Sequence, residues 1–180
     1  MSRTPAVAAM SAPALEVTGL TVHGPRSGAV APIAEDIVLR IARGEAVALV
    51  GESGSGKSVT ARAILDLLPD GLTKQGAVDL GGERISDLTG GRIRRLRGTR
   101  IAMVMQDPFT SLNPLHRVRD IVCETLRTPK GKPLRGNERR REAIRRLAEV
   151  GIEDPAVADA YPFELSGGMR QRVGIMLALV

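Results

Sequence analysis

Residues 51–58 read GESGSGKS and directly follow the apolar run AVALV of residues 46–50. Residues 59–68, VTARAILDLL, come next, and their apolar positions recur at helical spacing up to Pro69. The octet fits the P-loop pattern, in which glycines, a Lys and a Ser join a strand to a helix. A buried strand, a glycine-rich turn and an amphipathic helix in this order predict an α/β core that binds a nucleotide.

Each residue type in this P-loop has a role in holding a triphosphate. The glycines let backbone N–H groups converge on phosphate oxygens, and the following helix adds the positive end of its dipole. Lys57 is a predicted catalytic residue because its charge reaches the β- and γ-phosphates, and the Ser58 hydroxyl is a hard oxygen ligand for Mg²⁺. The predicted nucleotide-binding residues of the loop are Gly51, Glu52, Ser53, Gly54, Ser55, Gly56, Lys57, Ser58 and Val59.

The composition around this motif is that of a globular protein about one domain long. The chain has 180 residues, of which 43% are hydrophobic and 26% charged, close to the usual averages. A single cysteine, Cys123, excludes an internal disulfide and is more typical of a core position than of a reactive one. The net charge of +6 favours anionic partners. No apolar stretch reaches the ~20 residues that span a bilayer.

In the rest of the chain, the sequence pattern predicts mainly strands before Val118 and helices after it. From Val118 the pattern becomes helical, with an arginine-rich helix over residues 138–150 whose charges are typical of a solvated face. Residues 1–14 are predicted to form a disordered N-terminal extension. The predicted strands are residues 15–23, 36–42, 46–50, 77–80 and 101–105, with a loop over residues 24–32.

A second glycine-containing octet, LSGGMRQR, occupies residues 165–172. Ser166 is a good helix N-cap, and Gly167 and Gly168 leave backbone N–H groups uncovered at the start of a helix that runs to the chain end. The octet is thus a second phosphate-binding helix start.

This octet resembles the signature motif of ABC ATPases, the motor subunits of ATP-binding cassette transporters. The resemblance implies that Ser166, Gly167, Gly168 and Gln171 cap the ATP held by the P-loop of a partner, in a head-to-tail dimer with two shared ATP sites. It also implies a P-loop NTPase core with an N-terminal antiparallel β-subdomain, in a partial nucleotide-binding domain over residues 15–180. A helical subdomain is expected over residues 118–173.

Residues 105–114, MQDPFTSLNP, are similar to the Q-loop of the same family. Gln106 ends the predicted strand IAMVM, and the resemblance makes it the second catalytic residue and, with Ser58, a ligand of Mg²⁺. The sequences QDPFTSLNP and YPFELSGGMRQRV resemble those of the subfamily that powers uptake of oligopeptides, dipeptides and, in some members, nickel. The resemblance covers roughly Leu15 to Val180.

The function implied by the resemblance is an ATP-binding subunit at the cytoplasmic face of the cell membrane, with ATP and Mg²⁺ as cofactors. Its partners would be a second ATPase subunit, two integral membrane permease subunits and, indirectly, an extracytoplasmic solute-binding protein, with no nucleic acid. One alternative is a soluble ABC-type ATPase acting on nucleic acid or ribosomes, which the net charge and the arginine helix suit. Another is a truncated remnant that binds ATP without turnover.

The sequence departs from the family pattern in two places. The apolar strand ending in Asp, the Glu after it, the D-loop and the switch His would all lie beyond Val180, so we expect a fragment with an incomplete sheet and little hydrolysis. The family usually has an aromatic residue between its first two strands that stacks on adenine, but residues 24–34 contain none. His23 is the nearest ring, and a solvated histidine at a strand end is the more typical interpretation.

Overall fold

The computed structural model describes residues 12–26, 29–105, 112–124, 126 and 132–179. The chain divides into two compact units, Met1–Arg97 and Gly98–Val180. Most of the predicted extension, residues 1–11, lies outside the described residues. At its end Ala14 is bonded to the first unit, since its carbonyl accepts the N–H of Gly81 at 3.0 Å.

The first unit is built on an antiparallel sheet of four strands, which are β1 Leu15–Arg26, β2 Ala29–Ile41, β3 Thr73–Leu80 and β4 Glu83–Arg84. Their order in the sheet is β2-β1-β3-β4. This confirms the predicted N-terminal antiparallel subdomain. The predicted loop over residues 24–32 is wrong, because the β1–β2 ladder continues until Arg26 pairs with Ala29. Pro32 is tolerated opposite His23 because β2 is an edge strand.

Helix α1, Lys57–Ile64, packs against β1 and β2. It ends at Ile64, before the predicted Pro69, and Asp66 beyond it has a left-handed φ of 56°. Two cations bind carbonyls at this end of the helix. Lys74 Nζ donates to the carbonyl of Ala63 at 2.8 Å, and Arg97 Nε donates to that of Leu65 at 2.7 Å. A short helix, α2, follows at Gly91–Leu96 with Ile93 buried. The other buried apolar residues of this unit include Val17, Leu20, Val22, Ala34, Ala63, Val78 and Ile85.

The strands predicted over residues 46–50 and 101–105 are not formed. Residues 46–50 have no regular secondary structure, and Val50 is 88% exposed. Residues 102–105 are likewise irregular, with Met105 41% exposed. A strand needs a hydrogen-bonded neighbour, and no strand among the described residues pairs with either run. The sheet is therefore incomplete. The sequence predicted an incomplete sheet because strands after Val180 would be missing, whereas here two strands predicted within residues 46–105 are also not formed.

The second unit is helical around its own core. Cys123 is 1% exposed in this core, as predicted, and burial raises the pKa of its thiol to about 11. The helices are α3 Val118–Val122, α4 Gly136–Glu149 and α5 Gly167–Leu179, with 3₁₀ helices at Pro155–Asp159 and Pro162–Glu164. The core includes Leu112, Val118, Ile121, Val122, Leu134, Leu147, Val157, Leu165, Val173 and Met176. No helix in the described ranges is long and apolar enough to cross a membrane.

Candidate nucleotide-binding site

The P-loop folds around the ammonium group of Lys57. Lys57 Nζ donates to the carbonyls of Gly51 and Glu52 at 2.8 and 2.5 Å, and to the Ser55 hydroxyl at 3.2 Å. These three acceptors use the three N–H donors of the ammonium group. Residues 51–55 are exposed, so the cradle is open to solvent.

Gly56 is the N-cap of α1 and is buried, with a φ of 89°. A Cβ at this position would lie 3.0 Å from the carbonyl O of Ile33 and 3.1 Å from the Cβ of Ala34. Both the left-handed backbone and the close approach of β2 therefore require glycine. Ile33 and Ala34 were not predicted as neighbours of the loop, because no local sequence pattern indicates which distant residues contact it.

The start of α1 has the donors that a phosphate group needs. Its first N–H groups have no carbonyl one turn earlier within the helix, and the dipole adds positive potential there. The fourth residue, Thr60, is already satisfied: both its N–H and its hydroxyl bond the Gly56 carbonyl, at 2.8 and 3.0 Å. The free donors therefore lie before Thr60, next to the Lys57 ammonium.

The residues near the loop fit a magnesium ion that arrives with a triphosphate. The Ser58 side of the helix start is exposed. Among the described residues no group of three or more His, Cys, Asp or Glu could hold a metal ion. Mg²⁺ commonly keeps several waters and binds through few protein oxygens plus substrate phosphates, which one serine hydroxyl suits. Gln106, the other predicted ligand, lies outside the described residues, as do residues 107–111.

In the second unit, Ser166 caps helix α5 as predicted. The N–H of Met169 donates to Ser166 Oγ at 3.3 Å. Gly167, Gly168 and Gln171 are exposed, and a Cβ at either glycine would meet nothing within 4 Å. Packing inside this unit therefore does not require glycine at either position, which leaves the backbone N–H groups of this helix start accessible. The roles of these residues toward a nucleotide stay predictions.

Contacts that the sequence did not indicate hold this helix start in place. Arg170 Nε donates to the carbonyl of Pro162 at 2.7 Å. The rings of Tyr161 and Phe163 stack with their centroids 5.5 Å apart, and the Arg117 guanidinium lies 4.8 Å from the Tyr161 centroid. No short-range pattern joins Arg117 to residues more than forty positions away.

The arginines of α4 are mostly neutralised by carboxylates. Hydrogen bonds from Arg145 and Arg146 lower the pKa of Glu142 to about 2, and Arg140 and Arg119 lower the pKa of Asp159. The nucleic-acid alternative needs an unpaired basic face, and this pairing weakens it. The pairs are Arg139–Asp120 at 2.8 Å, Arg140–Asp159 at 2.7 Å, Arg145–Glu142 at 2.6 Å and Arg146–Glu142 at 2.9 Å.

The sequence predicted that His23 lies at a strand end, and this prediction is wrong. It pairs with Pro32 on one side and Thr73 on the other, inside β1, and is half-buried. The predicted strand ended at His23, whereas β1 continues three residues further, to Arg26.

Comparison with known proteins agrees with these features. The sequence profile of the family described as ABC transporter matches residues 34–180. A probable D,D-dipeptide transport ATP-binding protein of Escherichia coli is 42% identical over 172 residues, covering 94% of this chain and 52% of that protein. An oligopeptide transport ATP-binding protein of Mycobacterium tuberculosis is 40% identical over 168 residues, covering 93% and 27%. The chain thus spans about half, or less, of the length of these relatives.

Solved structures show the same fold. The dimeric ATP-binding cassette MJ0796 in a post-hydrolysis state with ADP and Pi has a TM-score of 0.72 and 26% identity, over 92% of this chain and 68% of that one. A second dimeric structure of MJ0796, described as a bacterial ABC transporter cassette, has a TM-score of 0.74 and 28% identity over the same shares. The predicted fold class is confirmed.

Proposed function

This chain belongs to the ABC transporter family, and we propose that it is the ATP-binding part of a transporter that imports peptides across the cytoplasmic membrane. The observation that carries the proposal is the open P-loop cradle. There Lys57 Nζ is held by three oxygens, at 2.5 to 3.2 Å, beside the start of α1. A triphosphate supplies stronger, charged acceptors for the same ammonium group.

In this proposal Lys57 neutralises the β- and γ-phosphates, and Ser58 holds Mg²⁺ together with Gln106. When bound, the magnesium ion neutralises charge that develops on the transferred phosphoryl group. Ser166, Gly167, Gly168 and Gln171 act on the ATP of a second subunit, using the exposed helix start of α5. The dimeric state of the similar cassettes supports this arrangement.

The peptide class of substrate rests on the relatives. The names of proteins that are 40–42% identical include D,D-dipeptide, glutathione and oligopeptide transport. We propose two permease subunits and an extracytoplasmic solute-binding protein as partners, with the chain at the cytoplasmic face of the membrane. The names of these relatives support peptides as the substrate class.

We further propose that these 180 residues bind ATP with little hydrolysis. The family pattern uses an Asp after an apolar strand to anchor the metal ion and a following Glu to orient water. Residues 173–180, which follow the signature octet, contain neither Asp nor Glu. Phosphoryl transfer without these two carboxylates lacks support for both the metal ion and the nucleophile.

Lys57→Ala tests the proposal. We expect the variant to bind Mg·ATP at least ~10-fold more weakly, since charge-assisted hydrogen bonds contribute ~1.5–3 kcal/mol. Isothermal titration calorimetry measures the affinity, and a phosphate-release assay on the unchanged chain measures hydrolysis. Lys132→Ala, at an exposed lysine of the second unit, is the control and should bind like the unchanged chain. Equal affinities of the chain and the Lys57 variant would refute the P-loop role, and rapid phosphate release would refute the low hydrolysis.

A further inference from the structure

Helix α2, Gly91–Leu96, presents arginines to solvent. Ile93 is the buried residue of this helix, with 4% of its surface exposed, and it fixes the helix against the first unit. Because an α-helix turns about 100° per residue, Arg92, Arg94 and Arg95 point to its other sides. All three are exposed. These three side chains form the arginine surface.

The arginine surface is the basic part of an otherwise acidic unit. Residues 1–87 contain eight Lys and Arg and ten Asp and Glu, whereas residues 88–97 contain four Arg and no acidic residue. Within the part of the chain that the structure describes, neither the Arg92 nor the Arg94 guanidinium has an ion pair or hydrogen bond. The arginines of α4, by contrast, are mostly paired with carboxylates. The charges of Arg92 and Arg94 are therefore available to an external anion.

Arg97, the C-cap of α2, joins this helix to the end of α1 that is away from the P-loop. Its Nε donates to the carbonyl of Leu65 at 2.7 Å, and its guanidinium pairs with the Asp66 carboxylate at 3.2 Å. Both acceptors follow the last residue of α1, Ile64, whereas the P-loop comes before the first residue, Lys57. An anion at the arginine surface therefore does not compete for the phosphate-binding end of α1.

We propose that the arginine surface binds the anionic lipid head groups of the membrane at whose cytoplasmic face the chain acts. The location rests on the proposed function, and the lipid contact goes beyond it because it needs no permease. The cytoplasmic leaflet has a negative surface potential that attracts exposed Lys and Arg. A helix of six residues, ~9 Å long, reaches few phosphates of a nucleic-acid duplex. Residues 1–97 also contain no Phe, Tyr or Trp on which bases could stack.

Cosedimentation of the 180-residue chain with two kinds of vesicle tests the inference. One kind is phosphatidylcholine alone, and the other is an equal mixture of phosphatidylcholine and phosphatidylglycerol. The chain should bind the anionic vesicles ~25-fold or more tightly at about 50 mM salt, and the preference should fall at about 500 mM, because salt screens exposed charges. Arg92→Gln with Arg94→Gln should weaken this binding ~10-fold or more, since each basic residue near an anionic surface contributes a factor of about five. Arg92→Lys with Arg94→Lys keeps both charges and should bind within about twofold of the unchanged chain.

Arg135→Gln with Arg141→Gln is the matched control, because it removes the same charge from two exposed residues of the second unit. It should change the binding of anionic vesicles by less than about twofold. Equal weakening by the two glutamine variants would overturn the inference, since net charge and not the arginine surface would then be responsible. Equal binding to both kinds of vesicle would overturn it too, as would tighter binding of duplex DNA through Arg92 and Arg94. The proposed function fails separately, if Lys57→Ala leaves the affinity for Mg·ATP unchanged, whatever the vesicles show.

Discussion

At the scale of single residues, two glycines with similar backbones differ in what surrounds them. Gly56 and Gly44 have φ angles of 89° and 77°. A Cβ at Gly56 would press on Ile33 and Ala34 of β2 at 3.0 and 3.1 Å, whereas a Cβ at Gly44 would meet nothing within 4 Å. The comparison separates the cost of a left-handed backbone from the cost of crowding at the P-loop.

Gly56→Ala should lower the free energy of unfolding more than Gly44→Ala does. Both variants incur the left-handed penalty of ~1–2 kcal/mol, and Gly56→Ala adds ~1–3 kcal/mol for overpacking. Urea unfolding of the two variants beside the unchanged chain measures the difference. Equal losses would show that β2 moves away from the loop at no cost.

At the scale of elements, the charge network of helix α4 makes its stability depend on pH. Glu142 accepts hydrogen bonds from Arg145 and Arg146, which lower its pKa from 4.5 to about 2. A carboxyl whose pKa is lower in the folded state stabilises above its unfolded pKa and loses that contribution as pH falls through the folded pKa. The loss therefore falls between pH 4.5 and about 2.

Glu142→Gln should lower the free energy of unfolding at pH 7 by about 0.5–1 kcal/mol, since partly exposed pairs contribute little each. The difference from the unchanged chain should shrink as pH is lowered from 4.5 toward 2, because the unchanged chain then loses the same ion pairs. Urea unfolding at pH 7 and pH 3.5 measures it. Glu153→Gln, at an exposed residue of the same unit, is the control. A difference that stays constant with pH would contradict the assignment.

The elements also show where sequence patterns suffice. Local patterns were enough for the P-loop helix start at Lys57 and for the Ser166 cap, because both depend on residues a few positions apart. The run of residues 46–50 has the composition of a buried strand, yet strand formation depends on a partner strand that composition does not reveal. The carbonyls at the end of α1 likewise bind Lys74 and Arg97, which are distant in sequence. Contacts between residues that are distant in sequence are therefore what the local patterns could not predict.

At the scale of the whole molecule, the arginine-rich helix α4 is weaker evidence for nucleic-acid binding than its sequence alone indicates. Four of the five arginines between residues 139 and 146 are paired with carboxylates within the second unit. An arginine that is already paired with a carboxylate must give up that pair to bind a phosphate, so it contributes less affinity than an unpaired arginine. The ion pairs leave the net charge of +6 unchanged, so this excess charge lies on other residues.

Because the proposed partners are permease subunits, affinity purification of the tagged chain from detergent-solubilised cells of its source should yield integral membrane proteins with several spans. Mass spectrometry identifies them. Binding of duplex DNA or RNA should stay weak at 50 mM salt, where counterion release would otherwise make it tight. Arg135→Gln with Arg141→Gln removes two exposed charges of α4 and its N-cap, and it should leave the recovery of membrane proteins unchanged. Tight, salt-sensitive nucleic-acid binding that this double variant weakens, without membrane proteins in the purified fraction, would favour the soluble ATPase instead. The pairing of the α4 arginines would then be no barrier to a nucleic-acid partner.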